Sequence, residues 1–388
     1  MGRKRQPKQL ELSFPNLPRG EAHGRSGRDE RTMVTSGYER PTIAERLMEE
    51  ICEPANLKRA LKRVKGNKGS PGVDGMTVDE LPSYVWKHWD SLREDLLQGR
   101  YGPRPVKRRE IPKPGGGVRK LGIPTALDRF VQQAVMQVLQ RQWDSTFSEH
   151  SYGFRPNRSA HDAVAQAQAY IAEGYGYVVD IDLEKFFDQV NHDMLMGRVA
   201  QRIKDKRVLK LIRDFLNSGV LQDGLVSPVT EGTPQGGPLS SLLSNLFLDD
   251  LDRELERRGH RFVRYADDQN IYVRSERAGL RVMESLKRFI TTKLKLKVNE
   301  HKSAVGKPSD RKFLGFRFTA EEVPRRRLAP QSAARFRAKV RELTRRAIGH
   351  SLVEVISDLR NYLTGWRGYY DFVEMPWELK KLESWVRR

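Results

Sequence analysis

Apolar residues recur at helical spacing along much of the chain. The matching stripes are Ile43, Leu47 and Ile51; Leu57, Leu61 and Val64; Phe130, Val131, Ala134, Val135, Val138 and Leu139; Leu243, Phe247, Leu251 and Leu255; and Leu280, Met283, Leu286, Phe289 and Ile290. Residues three or four positions apart lie on one face of a helix, so each stripe predicts an amphipathic helix. Gly259 follows the fourth stripe and predicts its end, and another helix is predicted to begin at His161.

Short stretches rich in β-branched and aromatic residues predict strands between these helices. Residues 106–113 and 118–123 flank three glycines and predict a hairpin, and residues 295–298 alternate lysine with apolar side chains. Residues 177–183 predict a single strand. Residues 261–265 and 270–273 predict a second hairpin, with Asp267 and Asp268 at its tip.

Four aspartates lie on the strand at 177–183 and on the hairpin tip. Side chains alternate along a strand, so Asp180 and Asp182 share one face. Closely spaced carboxylates repel one another unless a cation or a basic partner is present, and hard divalent cations take oxygen ligands. We therefore predict a metal site in which Asp267 and Asp268 are joined by Asp182 or by Asp180.

The charge of the chain indicates a polyanionic partner. Its 388 residues include 71 Lys and Arg against 50 Asp and Glu, which gives a net charge of +21 and a pI near 10.0. Nucleic acid is the first expectation and an anionic membrane surface the second. No apolar run is long enough for a transmembrane helix. Cys52 is the single cysteine, which excludes a disulfide framework and a multi-cysteine zinc site and fits a reducing cytoplasm.

Composition divides the chain into three predicted regions. Residues 1–42 are basic and poor in apolar side chains, which predicts a disordered leader. Residues 43–320 contain the predicted strands, and residues 321–388 are predicted to be helical. In the last region, Phe336, Val340, Leu343 and Ala347 form an apolar stripe that leaves Arg335, Arg337, Arg341 and Arg345 on the outer face.

Two further basic segments are candidates for phosphate contacts. The glycine-rich loop at 66–75 can present backbone N–H groups and Lys68 to phosphates, although a plain surface loop has the same composition. The hairpin at 106–123 carries Lys113 and Arg119, and cations on such a hairpin can hold a triphosphate. Carboxylates that bind two cations, together with a basic chain, predict nucleotidyl transfer.

The sequence resembles the reverse transcriptases encoded by group II introns, which are also called maturases. The resemblance is carried by the Tyr265-Ala266-Asp267-Asp268 tetrapeptide, by Asp182 with Phe187 five residues later, and by Gln235-Gly236-Gly237-Pro238-Leu239-Ser240. The segments at 67–75, 152–159 and 313–316 also resemble blocks of that family. The resemblance runs from about residue 45 to the C-terminus, and the spacing to Phe187 favours Asp182 over Asp180.

The resemblance implies an α+β fold shaped like a right hand, with fingers, an antiparallel palm sheet backed by helices, and a helical thumb or maturase region. It also implies that Asp182, Asp267 and Asp268 are catalytic and bind two Mg²⁺ ions, with the Leu183 carbonyl as a further ligand. The implied nucleotide-binding residues are Lys113, Arg119, Phe187, Gln235 and Ala266, with Phe187 excluding a 2′-hydroxyl.

The implied partners are intron RNA, an RNA template with a DNA or RNA primer, deoxynucleoside triphosphates and target DNA. Two alternatives remain at this point: a splicing cofactor with a vestigial polymerase, and a related enzyme recruited to phage defence or DNA repair. Many family members continue into DNA-binding and endonuclease segments. Since this chain ends at Arg388, we expect a truncated maturase region and no cleavage of target DNA.

Overall fold

The computed structural model describes residues 46–112, 118–222, 225–227, 232, 236–345, 349 and 351–388, without the side chains of residues 119, 222 and 225. The predicted leader, the glycine turn at 115–117 and Ala347 lie outside these residues. The helices are α1 (Leu47–Ile51), α2 (Pro54–Gly66), α3 (Leu81–Leu97), α4 (Ala126–Trp143), α5 (Ala160–Ala172), α6 (Phe186–Gln189), α7 (His192–Arg202), α8 (Lys206–Asn217), α9 (Pro238–Arg257), α10 (Glu276–Phe289), α11 (Pro330–Leu343), α12 (Leu352–Tyr370) and α13 (Pro376–Val386).

The strands form two four-stranded sheets and one two-stranded ribbon. They are β1 (Val106–Pro112), β2 (Val118–Ile123), β3 (Tyr177–Ile181), β4 (Val220–Gln222), β5 (Leu225–Ser227), β6 (Arg261–Tyr265), β7 (Asp268–Val273), β8 (Ala304–Gly306), β9 (Phe316–Phe318) and β10 (Arg326–Leu328). One sheet has the order β2-β1-β4-β5, with β1 and β4 parallel. The ribbon pairs β9 with β10.

The second sheet, with the order β6-β7-β3-β8, carries the predicted carboxylates. All of its pairs are antiparallel, and the register places Asp180 opposite Asn270 and Tyr265 opposite Asp268. Alternate side chains enter two different cores: Val179 and Ile181 face one, and Val178 faces the other. Both faces of this sheet are therefore covered, which explains why its strands are so rich in Val, Ile, Phe and Tyr.

The first core joins one face of this sheet to α1–α4 and to α6–α10. Helices α9 and α10 pack on the face that carries Val179 and Ile181. Helix α4 connects α9 with α1, α2 and α3, and the buried face predicted from Phe130 to Leu139 is confirmed. The sheet is thus held from behind by long helices.

The second core joins the opposite face of the sheet to the C-terminal helices. Val178, Val263 and Tyr272 of the sheet share it with Phe316, Phe336 and other residues of α5, the β9–β10 ribbon and α11–α13. His161 of α5 stacks on Phe372 with ring centroids 4.5 Å apart, and its Nε2 lies 2.7 Å from the carbonyl oxygen of Tyr369. Side-chain packing therefore continues across residue 320.

The predicted α+β fold, with an antiparallel sheet backed by helices, is confirmed. The strand predicted at 295–298 is wrong. A π-helical turn, Ile290–Leu294, ends at Lys295 in the left-handed region (φ 56°), and Leu294 and Leu296 both enter the first core. The lysine–leucine alternation there reflects the end of a helix, and only Val298 makes a bridge, to Leu183.

Two other details differ from the predicted helical stripes. Leu280 is 57% exposed on α10, although it has the spacing of the buried residues. Leu343 is half-buried, whereas Phe336 and Val340 of the same stripe are buried. No helix in the described part of the chain is long and apolar enough to span a membrane.

Candidate active site

The predicted carboxylate hairpin forms with a two-residue turn. β6 ends at Tyr265 and β7 begins at Asp268, which is paired with it, so Ala266 and Asp267 make the turn. Ala266 has a φ of 58°, a left-handed conformation that is uncommon for a residue with a Cβ. Such a conformation persists only where the surroundings hold it in place.

Arg264 holds this turn from inside the protein. Its side chain is 1% exposed, and its Nη1 donates hydrogen bonds to the carbonyl oxygen of Ala266 and to Oδ1 of Asn245, each at 2.9 Å. Its Nη2 donates to Oδ2 of Asp252 at 2.6 Å, and Asp252 is fully buried in α9. Desolvation raises the pKa of Asp252 and the neighbouring guanidinium of Arg264 acts against this rise. Removing one partner of a buried pair of this kind costs about 3–5 kcal/mol.

A glycine packs against the other side of the turn. A Cβ on Gly153 would lie 2.2 Å from the amide nitrogen of Ala266, so only glycine fits there. The carbonyl oxygen of Gly153 accepts a 2.9 Å hydrogen bond from Nδ2 of Asn245, and the amide of Tyr152 donates to the carbonyl of Arg264. The segment that resembles a family block at 152–159 therefore supports the carboxylate hairpin.

Asp182 lies directly after β3 and is positioned by the segment 299–303. Its amide donates to Oγ of Ser303 at 3.0 Å, and its carbonyl accepts from the amide of Asn299 at 2.8 Å. Its carboxylate is 3.5 Å from Nζ of Lys302. Leu183 forms an isolated β-bridge with Val298. The two hydrogen bonds of this bridge are made by the carbonyl of Asp182 and the amide of Glu184, so they do not use the carbonyl of Leu183.

Asp180 has a stronger basic partner than Asp182. Its Oδ2 lies 2.6 Å from Nη2 of Arg311, which also donates to the carbonyl of Lys302. Desolvation raises the pKa of Asp180, and the hydrogen bond from Arg311 lowers it. Since Asp180 already has this charged partner, the geometry favours Asp182 as the aspartate available to a cation.

Asp268 shows that the site is short of positive charge. Part of its side chain reaches solvent, yet desolvation by the surrounding protein raises its pKa to about 6, and the carboxylates of Asp267, Asp180 and Asp182 add to this rise. Lys312 acts in the opposite direction. Neighbouring negative charges make a carboxyl group harder to ionise unless a cation binds beside it.

The donor set fits a divalent cation, although its side chains are turned toward bases. Among the described residues, no three His, Cys, Asp or Glu side chains converge as a ready-made metal site. Asp180 faces Arg311 and Asp182 faces Lys302, so these two carboxylates point toward bases and not toward one common point. The donors near Asp268 are nevertheless oxygens of carboxylates, the type that Mg²⁺ takes.

Phe187 lies beside the same strand end. It is half-buried on α6, and its ring centroid is 5.2 Å from that of Phe186. A Cβ on Gly232 would lie 2.8 Å from the carbonyl oxygen of Phe187, so the backbone of Gly232 packs closely against the main chain of Phe187. Lys113, Gln235 and the side chain of Arg119 lie outside the described residues, and their nucleotide-binding roles stay predictions.

The residues predicted to bind RNA lie apart from the carboxylates. Lys68 is exposed with a φ of 48°, in a loop whose Ser70 carbonyl accepts a hydrogen bond from Arg129. Arg335 and Arg345 are exposed, and Arg337 is half-buried. The guanidinium of Arg341 is 5.3 Å from the ring centroid of Trp385, so this residue also packs α11 on α13.

Sequence reasoning missed Arg264, Lys302 and Arg311. Each is a basic residue that contacts an acid or a carbonyl of the site. Arg264 is adjacent to the recognised tetrapeptide, but β6 contains two arginines and only Arg264 is buried, so the residue type alone did not mark it. Nothing local marked Lys302 or Arg311, because their partners are over 100 positions away.

Comparison with known proteins assigns family descriptions to two segments. Residues 111–318 match the family model described as "Reverse transcriptase (RNA-dependent DNA polymerase)". Residues 333–388 match the model described as "Group II intron, maturase-specific domain". The first match alone covers more than half of the 388 residues.

Two curated proteins are similar to most of the chain. Protein YkfC of Escherichia coli (strain K12) is 32% identical over 339 residues, which are 77% of this chain and 88% of YkfC. The group II intron-encoded protein LtrA of Lactococcus lactis subsp. cremoris is 28% identical over 337 residues, which are 70% of this chain and 56% of LtrA. The chain therefore spans little more than half the length of LtrA.

The raised pKa of Asp268 predicts a stabilising substitution. In the unfolded chain Asp268 loses its proton near pH 3.8, but in the folded protein only near pH 6. The folded state therefore loses stability as the pH rises from about 4 to 6, and the loss persists above 6. Without divalent cations, Asp268→Asn should raise stability at pH 8 by about 1 kcal/mol, allowing for solvent screening, and by much less at pH 4.

Thermal melting at the two pH values measures this difference. Asp90→Asn, at an exposed position of α3, is the matched control and should change neither melting temperature. An equal effect of Asp268→Asn at pH 4 and pH 8 would contradict the charge argument.

Proposed function

The chain belongs to the group II intron reverse transcriptases, and from this premise we propose that it copies RNA into DNA at the carboxylates of Asp182, Asp267 and Asp268. The right-hand polymerase fold follows from the family. The observation that carries the proposal is the grouping of Asp268 with the carboxylates of Asp267, Asp180 and Asp182, beside a turn that Arg264 holds from inside the protein. Carboxylates grouped in this way favour the binding of positive charge at the place where the triphosphate would react.

The proposed chemistry is attack of a primer 3′-hydroxyl on the α-phosphate of a deoxynucleoside triphosphate. Two Mg²⁺ ions, when bound, would activate that hydroxyl and stabilise the leaving oxygen. Asp182, Asp267 and Asp268 would hold these ions, with the Leu183 carbonyl as a further oxygen donor. Arg311 would keep the carboxylate of Asp180, which is not one of these ligands, in place, since it already pairs with that carboxylate.

Selection of the nucleotide is proposed for residues around α6 and the β1–β2 hairpin. Lys113 and Arg119 would bind the triphosphate by charge-assisted hydrogen bonds. Phe187 would lie beneath the sugar, and Ala266 and Gln235 would line the primer and nucleotide positions. The backbone of Gly232 packs against the main chain of Phe187, and this packing supports the role because it helps to fix the point from which the ring projects.

Binding of intron RNA is proposed for the maturase-specific segment and for the loop at Lys68. Helix α11 is docked by Phe336 and Val340. Arg335 is exposed and Arg337 half-buried on this helix, and Arg345 is exposed just after its end. Exposed arginines repel one another unless a polyanion offsets them. Contacts to an RNA template with its primer and to target DNA are part of the same proposal.

A reducing compartment, the cytoplasm, is proposed as the place of action. Cys52 is the single cysteine of the chain and is buried, and desolvation raises its pKa to about 12. A thiol of this kind is unreactive and needs no oxidising environment.

Primer extension on an RNA template tests the proposed activity. Asp267→Asn removes one negative charge from the turn while keeping its size, so we expect synthesis to fall at least 1,000-fold without loss of thermal stability. Asp90→Asn should extend primers as the wild type does. Substantial synthesis by the Asp267→Asn protein would refute the assignment of the catalytic carboxylates.

Discrimination between sugars should depend on Phe187. Replacing the ring by a methyl group in Phe187→Ala leaves space for a 2′-hydroxyl, so the ratio of kcat/KM for deoxynucleotides to that for ribonucleotides should fall at least tenfold. Phe187→Tyr, which keeps the ring, is the control and should retain the ratio. If both variants discriminate equally well, another side chain selects the sugar.

The arginines on α11 and just after its end should determine how RNA binding depends on salt concentration. Each contact with a single-strand phosphate adds about 0.7 to the slope of log affinity against log salt concentration. Arg337→Gln combined with Arg345→Gln should lower the slope by about 1.4 if both residues contact phosphate. Arg341 is left intact because it packs on Trp385.

The matched control removes the same charge from α10 by Arg277→Gln and Arg281→Gln, which are exposed on the other side of the palm sheet. Binding of structured intron RNA is measured by filter retention over a range of salt concentrations. Equal slopes for the two double variants would mean that α11 is an ordinary solvated surface.

A further inference from the structure

Phe154 combines two properties that a phenylalanine rarely shows together. Its side chain is 46% exposed, and its backbone lies in the left-handed region with a φ of 60°. A bulky residue in this region is strained, and an exposed aromatic ring forgoes the burial that would offset the strain. Backbone strain that the surroundings enforce is concentrated at functional positions.

Hydrogen bonds fix the backbone on both sides of Phe154. Before it, the Gly153 carbonyl accepts from Asn245; at Phe154 itself, the carbonyl accepts from Nε2 of Gln140 at 3.0 Å. After it, the guanidinium of Arg155 is buried and donates to Oδ1 of Asp144 at 2.9 Å and to the carbonyl of Ser151 at 3.0 Å. The ring is thus presented to solvent by a rigid frame.

The same hydrogen-bond network also supports the turn formed by Ala266 and Asp267. Asn245 bonds both the Gly153 carbonyl and Arg264, and Arg264 bonds the Ala266 carbonyl. Gly153 touches the Ala266 amide, so Phe154 is one residue from a direct contact with the turn that carries Asp267. The backbone of Phe154 is therefore held in a fixed position relative to the turn.

We propose that Phe154 is a nucleic-acid contact, against which a base pair or sugar of the template–primer duplex packs beside the carboxylates. This inference rests on the proposed polymerase function. An aromatic face is attractive to nucleic acid because every base and sugar edge offers it an apolar partner, without preference for sequence. The role is to hold the duplex in register with the turn, and Phe154 takes no part in the chemical step.

The first experiment measures binding of an RNA template annealed to a DNA primer. Phe154→Ala should weaken the affinity about 5-fold to 100-fold, the range found when aromatic stacking partners are truncated. It should raise KM for template–primer and shorten the products, with KM for the deoxynucleotide unchanged. Phe154→Tyr should behave as the wild type, and Leu280→Ala, at a residue 57% exposed on α10, should have no effect.

Phe154→Gly separates binding from folding. Glycine accepts a φ of 60° without strain, so this variant should melt no lower than the wild type while losing affinity as Phe154→Ala does. A purely structural role of the ring would instead lower the melting temperature and leave the affinity of the remaining folded protein unchanged.

Cross-linking tests the location. Cys52 is buried with a pKa of about 12, so Phe154→Cys introduces the single reactive thiol. It should form a disulfide with a thiol-tethered template–primer at one or two adjacent nucleotides near the primer terminus, whereas Leu280→Cys should form none.

Wild-type affinity in both Phe154→Ala and Phe154→Gly, or cross-linking without positional preference, would overturn the proposal. If the wild-type protein itself failed to bind template–primer, the proposed function would fail instead, which is a distinguishable result.

Discussion

The buried ion pair between Arg264 and Asp252 is the constraint on which the site depends. An arginine that is 1% exposed and an aspartate that is fully buried stabilise one another only if every donor finds an acceptor. The acceptors of Arg264 are Asp252 and Asn245 on α9 and the Ala266 carbonyl. One side chain therefore locks the long helix to a left-handed turn that would otherwise be unfavourable, and the position of Asp267 follows from it.

The carboxylates next to that turn are balanced by bases from another part of the chain. Lys302 and Arg311 come from the segment on either side of β8, and each faces an aspartate on or next to β3. Their positive charges reduce repulsion within the cluster while Asp268 remains difficult to ionise. The protein can therefore fold with these carboxylates close together, because Lys302 and Arg311 neutralise part of their charge. A bound cation has to neutralise only the rest.

The sequence was informative where the signal is local. Strand alternation, the Asp-Asp turn and the spacing of Leu243 to Leu255 correctly indicated the palm sheet, its carboxylate hairpin and α9. The alternating lysines at 295–298 were misleading, because a helix terminus can produce the same pattern. Arg311 could not be found from sequence, since its partner Asp180 is 131 positions away and only the folded sheet brings them together.

The second hydrophobic core has a practical consequence for dividing this protein into fragments. Composition changes near residue 320, but Phe316 and Phe318 before that point share a core with Phe336 and Tyr370 after it. A fragment ending at residue 320 would expose these rings together with the part of this palm-sheet face that α5 does not cover. It would then behave as an aggregation-prone sheet with an uncovered apolar surface. The proposed polymerase and RNA-binding activities are accordingly better separated by surface substitutions than by cutting the chain.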